Sequence, residues 1–168
     1  MTPTSDSSIT PLSFLRIAGC SDNVIRHCMA VRDLALRFCE RSGADTELVE
    51  WGAMLHDIGR ARSHGLDHGQ LGADMCRSMN IPEEIARIVE CHIGAGLTAD
   101  QCRRDGLKEI NCVPSTIEEK IVAHADNLIR GTEEITLEER LRYSKDLPEE
   151  IKKRIIALAE EIERYRSE

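Results

Sequence analysis

A chain of 168 residues, 41% hydrophobic and 31% charged, is long enough to bury one sizeable core and too apolar to stay disordered. Its formal net charge of −8 argues against extended nucleic acid or an anionic membrane as partner, yet is compatible with a small phosphorylated ligand held through a metal. No apolar run approaches the roughly 18 residues of a membrane helix. Seven cysteines without a C-x-x-C pair read as reduced thiols, with Cys28, Cys39 and Cys76 at apolar helical positions, in a single cytoplasmic domain.

In chain order, residues 1–10 are polar, read as a frayed terminus, and lack the basic and apolar segments of a secretory signal. Residues 11–20 suit a short helix ended by Gly19. A long helix opens at Ser21 or Asp22, carries Val24, Cys28, Val31, Ala35 and Phe38 along one face, and stops at Gly43. Asp45 or Thr46 caps the next, which turns Leu48, Trp51 and Leu55 inward and runs into "GAMLHDIGR" at 52–60. Residues 60–69 read as a loop. Asp67 or His68 opens a helix with Leu71, Met75 and Met79 on one face. Pro82, as a first helical residue, starts another, with Glu83 and Glu84 at the positive end of its dipole.

Residues 94–114 look like a loop with one short helix near 98–105. Ser115 with Glu118, or Thr116 with Glu119, forms a capping box for a helix that Gly131 stops. From Leu137 to Glu168 the chain is charged and helical, split at Pro148, with Ile151, Ile155, Leu158, Ile162 and Tyr165 in a stripe. That stripe can pack back on the domain, its simpler use, or pair two copies as a homodimer. No segment alternates as a strand would and no repeat occurs, so the expected fold is all-α, a helical bundle.

Several polar residues do not fit a plain core. His56 and Asp57 end an apolar helix, where they cost stability unless something satisfies them. His27 lies beside the apolar face of the first long helix, His92 near the end of the Pro82 helix, and Asp126 interrupts "IVAHADNLI". Inward groups on different helices of a bundle can converge on one ion, and imidazoles with carboxylates suit Fe, Mn, Co, Ni or Zn. Adjacent helical positions point about 100° apart, so His56 and Asp57 share an ion only if the helix end loosens, a role that falls to Gly59. The plainer reading makes each histidine a hydrogen-bonded core residue, and spacing alone leaves both open. His124, two residues from Asp126 on one helix, points elsewhere and reads as a surface or packing residue.

"HDIG" at His56–Gly59 resembles the signature of the HD-domain superfamily of metal-dependent phosphohydrolases. Its other elements follow in order: His27 upstream, "HGQLGA" from His68 to Ala73, His92, and "ADNL" from Ala125 to Leu128. "CHIGAGLT" and "EEKIVAHADNLI" are closest to a small stand-alone, mainly archaeal subgroup, which brings fold and site but no substrate. The resemblance implies an HD core over about 20–130 with a C-terminal helical extension over about 132–168, and a metal site between helices. It assigns His27, His56, Asp57 and Asp126 to a primary divalent ion (Fe, Mn, Co, Ni, Zn or Mg). A second ion would use His68 and His92, with His64 the weaker candidate, although Ile93 stands where two-metal relatives carry the second histidine of a pair.

The implied activity is hydrolysis of a phosphomonoester or phosphodiester of a nucleotide. Asp57 would orient the attacking water, Arg60 would clamp phosphate or pair with acidic surface, and His68 or His92 would donate a proton or hold the second ion. Asn127 would contact substrate or, the simpler use, satisfy backbone. The alternatives are a non-hydrolytic metal- or nucleotide-binding module acting as a sensor or protein partner, and a helical interaction protein with a vestigial site.

Overall fold

The computed structural model describes residues 9–168, so the expected frayed terminus lies, for residues 1–8, outside the described residues. Thr10 is ordered as a cap: its hydroxyl accepts from the Ser13 amide and opens α1 (Pro11–Ala18). The described residues form ten α-helices. After α1 come α2 (Asp22–Leu36), α3 (Cys39–Ser42), α4 (Thr46–Leu55), α5 (His68–Ser78) and α6 (Glu83–Glu90). Then follow α7 (Ala99–Arg104), α8 (Ile117–Asn127), α9 (Leu137–Tyr143) and α10 (Glu149–Glu163). A 3-10 turn, Ile58–Ala61, joins α4 towards α5.

Side-chain caps start most of these helices, at Ser21, Asp45 and Thr116 as the sequence suggests and at Thr98 and Thr136 besides. Of the two candidate boxes before α8, Thr116 with Glu119 is the one that forms, and Glu119 also accepts from the Ser115 amide.

Four boundaries differ from expectation. The first long helix ends at Leu36, not Gly43, because Phe38 breaks from the axis to bury its ring and α3 follows as a separate turn. Pro82 is the cap of α6 and not its first residue, and α6 ends at Glu90, so His92 lies just beyond the helix. The helix α8 ends at Asn127. Gly131, at φ 62°, turns a short antiparallel hairpin, β1 (Ile129–Arg130) with β2 (Glu133–Glu134). Two-residue strands are too short for alternation to show, which is why none was legible.

The helix α2 packs against α4 and α8, and α5 against α6. One core cluster gathers Val31, Phe38, Ala53, Ile121, Ile155 and Ile162 around α2, α8 and α10. A second gathers Leu15, Cys28, Leu55, Ile58, Cys76 and Val89. Ile155 and Ile162 are fully buried, so the C-terminal stripe packs within its own chain. Each such burial is worth about 1.5–3 kcal/mol.

His124 belongs to this seam. It is buried, not a surface residue: its Nε2–H donates to Glu163 Oε1 at 2.8 Å and its ring meets Phe38 edge-on. Burial pushes its pKa down. All seven cysteines are free and six are buried, and no described helix is long and apolar enough to cross a membrane.

Candidate metal centre

The site forms where α4 stops. His56 keeps helical angles as the cap, but Asp57 leaves the helix at φ −101° and ψ 14°. That one change of path lets two adjacent side chains face the same point. Gly59 does not supply the loosening, as its backbone is not left-handed. Its role is close approach, since a Cβ there would sit 1.9 Å from the carbonyl oxygen of His68. The bare backbone seats the 3-10 turn directly on α5 and brings Asp57 to the first residue of that helix.

Five helix ends or faces converge there. Asp57 Oδ2 is 3.7 Å from His27 Nε2 and 3.7 Å from His56 Nε2, and Asp126 Oδ1 lies 2.9 Å and 3.3 Å from the same two nitrogens. The other oxygen of Asp57, Oδ1, is 3.2 Å from His68 Nε2 and 3.3 Å from His92 Nε2. Asp57 therefore stands between two groups of ligand atoms. Three sets could hold a metal ion: His27, His56 and Asp57; His56, His92 and Asp126; and Asp57, His68 and His92.

The backbone sets the tautomer of all four rings. Nδ1 lies 2.7 Å from Gly131 O at His27, 2.6 Å from Ala53 O at His56, 2.7 Å from Gly65 O at His68, and 2.6 Å from Val89 O at His92. A carbonyl oxygen only accepts, so each Nδ1 carries the proton and donates it. Each Nε2 is thereby left to present a lone pair to the centre. His56 Nε2 is buried without a hydrogen-bond partner, and the Nε2 atoms of His68 and His92 face each other at 3.0 Å. Lone pairs so placed are unfavourable unless a cation or a proton lies between them. The donor set thus fits a divalent ion on its own geometry.

The charges agree. Burial opposes ionisation of Asp126 and Asp57, yet both stay below the usual carboxylate range, Asp126 through His56 and His27, Asp57 through His56, His68 and His92. Burial would lower His56, but Asp57 and Asp126 hold it well above its ordinary value, and Asp126 does the same for His27. At His92 burial prevails and the pKa falls.

Some expected residues lie elsewhere. His64 is exposed, and only its carbonyl takes part, accepting from Arg60 Nη1 at 3.4 Å. Arg60 pairs with the site itself and not with acidic surface, its Nε donating to Asp57 Oδ2 at 3.1 Å. Asn127 is buried and donates to Gly94 O at 2.9 Å, the backbone-satisfying use. Ile93 packs towards Gly69 of α5 and fills apolar space. Three contributors had no sequence signal: the carbonyls of Gly65 and Gly131, a backbone group that every residue type carries, and Arg140 of α9, whose Nε reaches Asn127 Oδ1 at 3.2 Å across 13 residues.

The Methanocaldococcus jannaschii protein MJ0778 is 44% identical over 153 residues, covering 85% of this chain and 89% of that protein. A Thermoplasma volcanium tRNA (cytidine(56)-2'-O)-methyltransferase is 42% identical over 148 residues, and the chain spans 44% of its length. The fold is shared with the L. monocytogenes phosphodiesterase PgpH HD domain in complex with cyclic-di-AMP, at TM-score 0.57 and 19% identity, over 94% of this chain and 98% of that one. Residues 24–131 match the HD domain family, and the chain belongs to it.

Proposed function

We propose that this protein is a metal-dependent phosphohydrolase that cleaves a phosphomonoester or phosphodiester bond of a nucleotide. His27, His56, Asp57 and Asp126 would hold one divalent cation, and Asp57, His68 and His92 a second. The carrying observation is the division of Asp57, Oδ2 towards His27 and His56 and Oδ1 towards His68 and His92. The nitrogen-rich set suits Mn, Fe, Co, Ni or Zn better than Mg. Bound there, such ions would neutralise phosphoryl charge and acidify water.

The protein's own groups have separable parts. The four Nδ1–H donors keep the rings aimed, so each Nε2 is committed to the centre. This favours ion holding over proton donation for His68 and His92. Asp57 would accept a hydrogen bond from the attacking water with whatever lone pairs the ions leave free. Arg60 orients Asp57 and, being partly exposed, can also take a phosphoryl oxygen.

A nucleotide ligand is in keeping with the PgpH HD domain, which shares this fold and is known in complex with cyclic-di-AMP. Methyl transfer is not carried over from the tRNA methyltransferase, since the chain spans under half of it. A non-hydrolytic binding module remains the second reading, favoured by Ile93 at the position of a missing histidine. Metal analysis of protein purified without chelators, with a panel of phosphomonoesters and linear and cyclic diesters under added Mn, Co, Ni or Mg, tests both. Hydrolysis of a nucleotide supports the enzyme. A metal-loaded protein inert towards the whole panel refutes it and leaves the binding module.

A further inference from the structure

The metal cluster is not equally enclosed on all sides. The Asp57 side chain is 6% exposed and that of Asp126 21%, so the centre opens past Asp126. On that side Asp126 also lines a cleft of about 300 Å³, walled by Asn127, Arg130, Arg140 and Tyr143. This is about the volume in which small-molecule sites begin. None of these walls belongs to the ligand set, and the HDIG signature does not reach them.

Two arginines face this cleft in a protein whose net charge is −8. Arg140 is half-buried and fixed by neutral groups: its Nε donates to Asn127 Oδ1 at 3.2 Å and its Nη1 to the Ser144 hydroxyl. Burial opposes its charge, and Asp126 is the carboxylate whose field supports it. With two of its five N–H donors on these neutral acceptors, the guanidinium can also take an anion. Also on this cleft, the Arg130 guanidinium carbon lies over the Tyr143 ring, 3.6 Å from its centroid. Tyr143 is 59% exposed in a chain with only two tyrosines and one tryptophan. A guanidinium over an exposed phenol ring pairs a cation with an aromatic face, the combination on which nucleobases stack.

We propose that this cleft is the subsite for the nucleoside side of the substrate, with Arg140 taking a phosphate oxygen next to the scissile group and the Arg130–Tyr143 platform stacking the base. The assignment rests on the nucleotide reading above and names the residues that would set substrate preference.

The test is equilibrium binding, which does not require turnover. Calorimetry at low temperature would compare the linear dinucleotide pApA and 5′-AMP on metal-loaded wild type, Arg140→Ala, Arg140→Lys and Tyr143→Ala. Loss of one charge-assisted phosphate contact should raise Kd for pApA by about tenfold to a hundredfold in Arg140→Ala. Arg140→Lys should recover part of that loss, and Tyr143→Ala, altered at an exposed position, should weaken both probes. Metal content should match wild type in every variant, which separates the subsite from the metal centre. Equal Kd values across the variants, or no binding of either probe to the wild type, would overturn the assignment. If the wild type binds in an Arg140-dependent way yet cleaves nothing, hydrolysis fails and the subsite stands.

Discussion

A neutral imidazole can offer only one nitrogen to a ligand, and at His27, His56, His68 and His92 a backbone carbonyl makes that choice. Removing a ring is therefore a clean subtraction, because the others keep their own anchors. His92→Ala should leave a protein that retains the ion of His27, His56 and Asp126 but not the one beside His68. Asp57→Ala should lose both ions and all hydrolysis, with helicity largely kept. Metal content by mass spectrometry alongside circular dichroism reads the difference, and two ions retained by Asp57→Ala would refute the bridging role. His56 and Asp126 stood out because each interrupts an apolar pattern and His27 because it lies beside one, but spacing alone left a plain core role open and the resemblance grouped them. The division of Asp57 between two groups came only with the resemblance to two-metal relatives, since no residue pattern shows where α5 and α6 end relative to α4.

Elements meet at glycines here for two distinct reasons. Gly59 is needed for space: a Cβ would lie 1.9 Å from His68 O and 2.8 Å from Gly72 N, both backbone atoms that cannot yield cheaply. Gly131 is needed for conformation, with φ at 62° and nothing near a Cβ. Gly131→Ala should then cost about 1–2 kcal/mol and disturb His27, whose Nδ1 donates to that same carbonyl. Gly59→Ala should cost more, since the 3-10 turn and α5 must separate and carry Asp57 from His68. Thermal unfolding ranks the two, and equal or reversed losses would refute the packing account. Sequence periodicity marked nearly every helix but left such contacts unseen, because a glycine reads alike whether it serves a turn or a close approach. The hairpin and the 3-10 turn escaped for a related cause: neither is long enough to have a period.

At the scale of the whole molecule, α10 closes the bundle over α8, and its polar edge makes the closure sensitive to acid. Arg166 first, then His124, hold the Glu163 carboxyl at about 2, below its ordinary 4.5. A depressed carboxylate stabilises the fold fully above its unfolded value and loses that contribution as pH falls through the folded one. The loss should therefore run from 4.5 down to about 2. Glu163 is 38% exposed, so solvent screening keeps the effect within about 1 kcal/mol. Glu163→Gln should melt with less dependence on pH across that window, and an identical acid profile would refute the assignment. The apolar stripe of α10 was legible as a helix face. Its place against Phe38 and His124 was not, because 39 residues separate His124 from Glu163.

Three of the four site rings are anchored to a carbonyl three residues back, at Ala53, Gly65 and Val89. Their aim is thus written into single turns of chain, while their spacing is written into the packing between helices. The two properties can be inherited separately. Substitutions deep in the core would stretch or tighten the cage as the helices shift, without rotating an imidazole away from it. Variation among relatives could therefore tune which ion fits by altering apolar residues that never touch the metal, with the ring-bearing turns left intact.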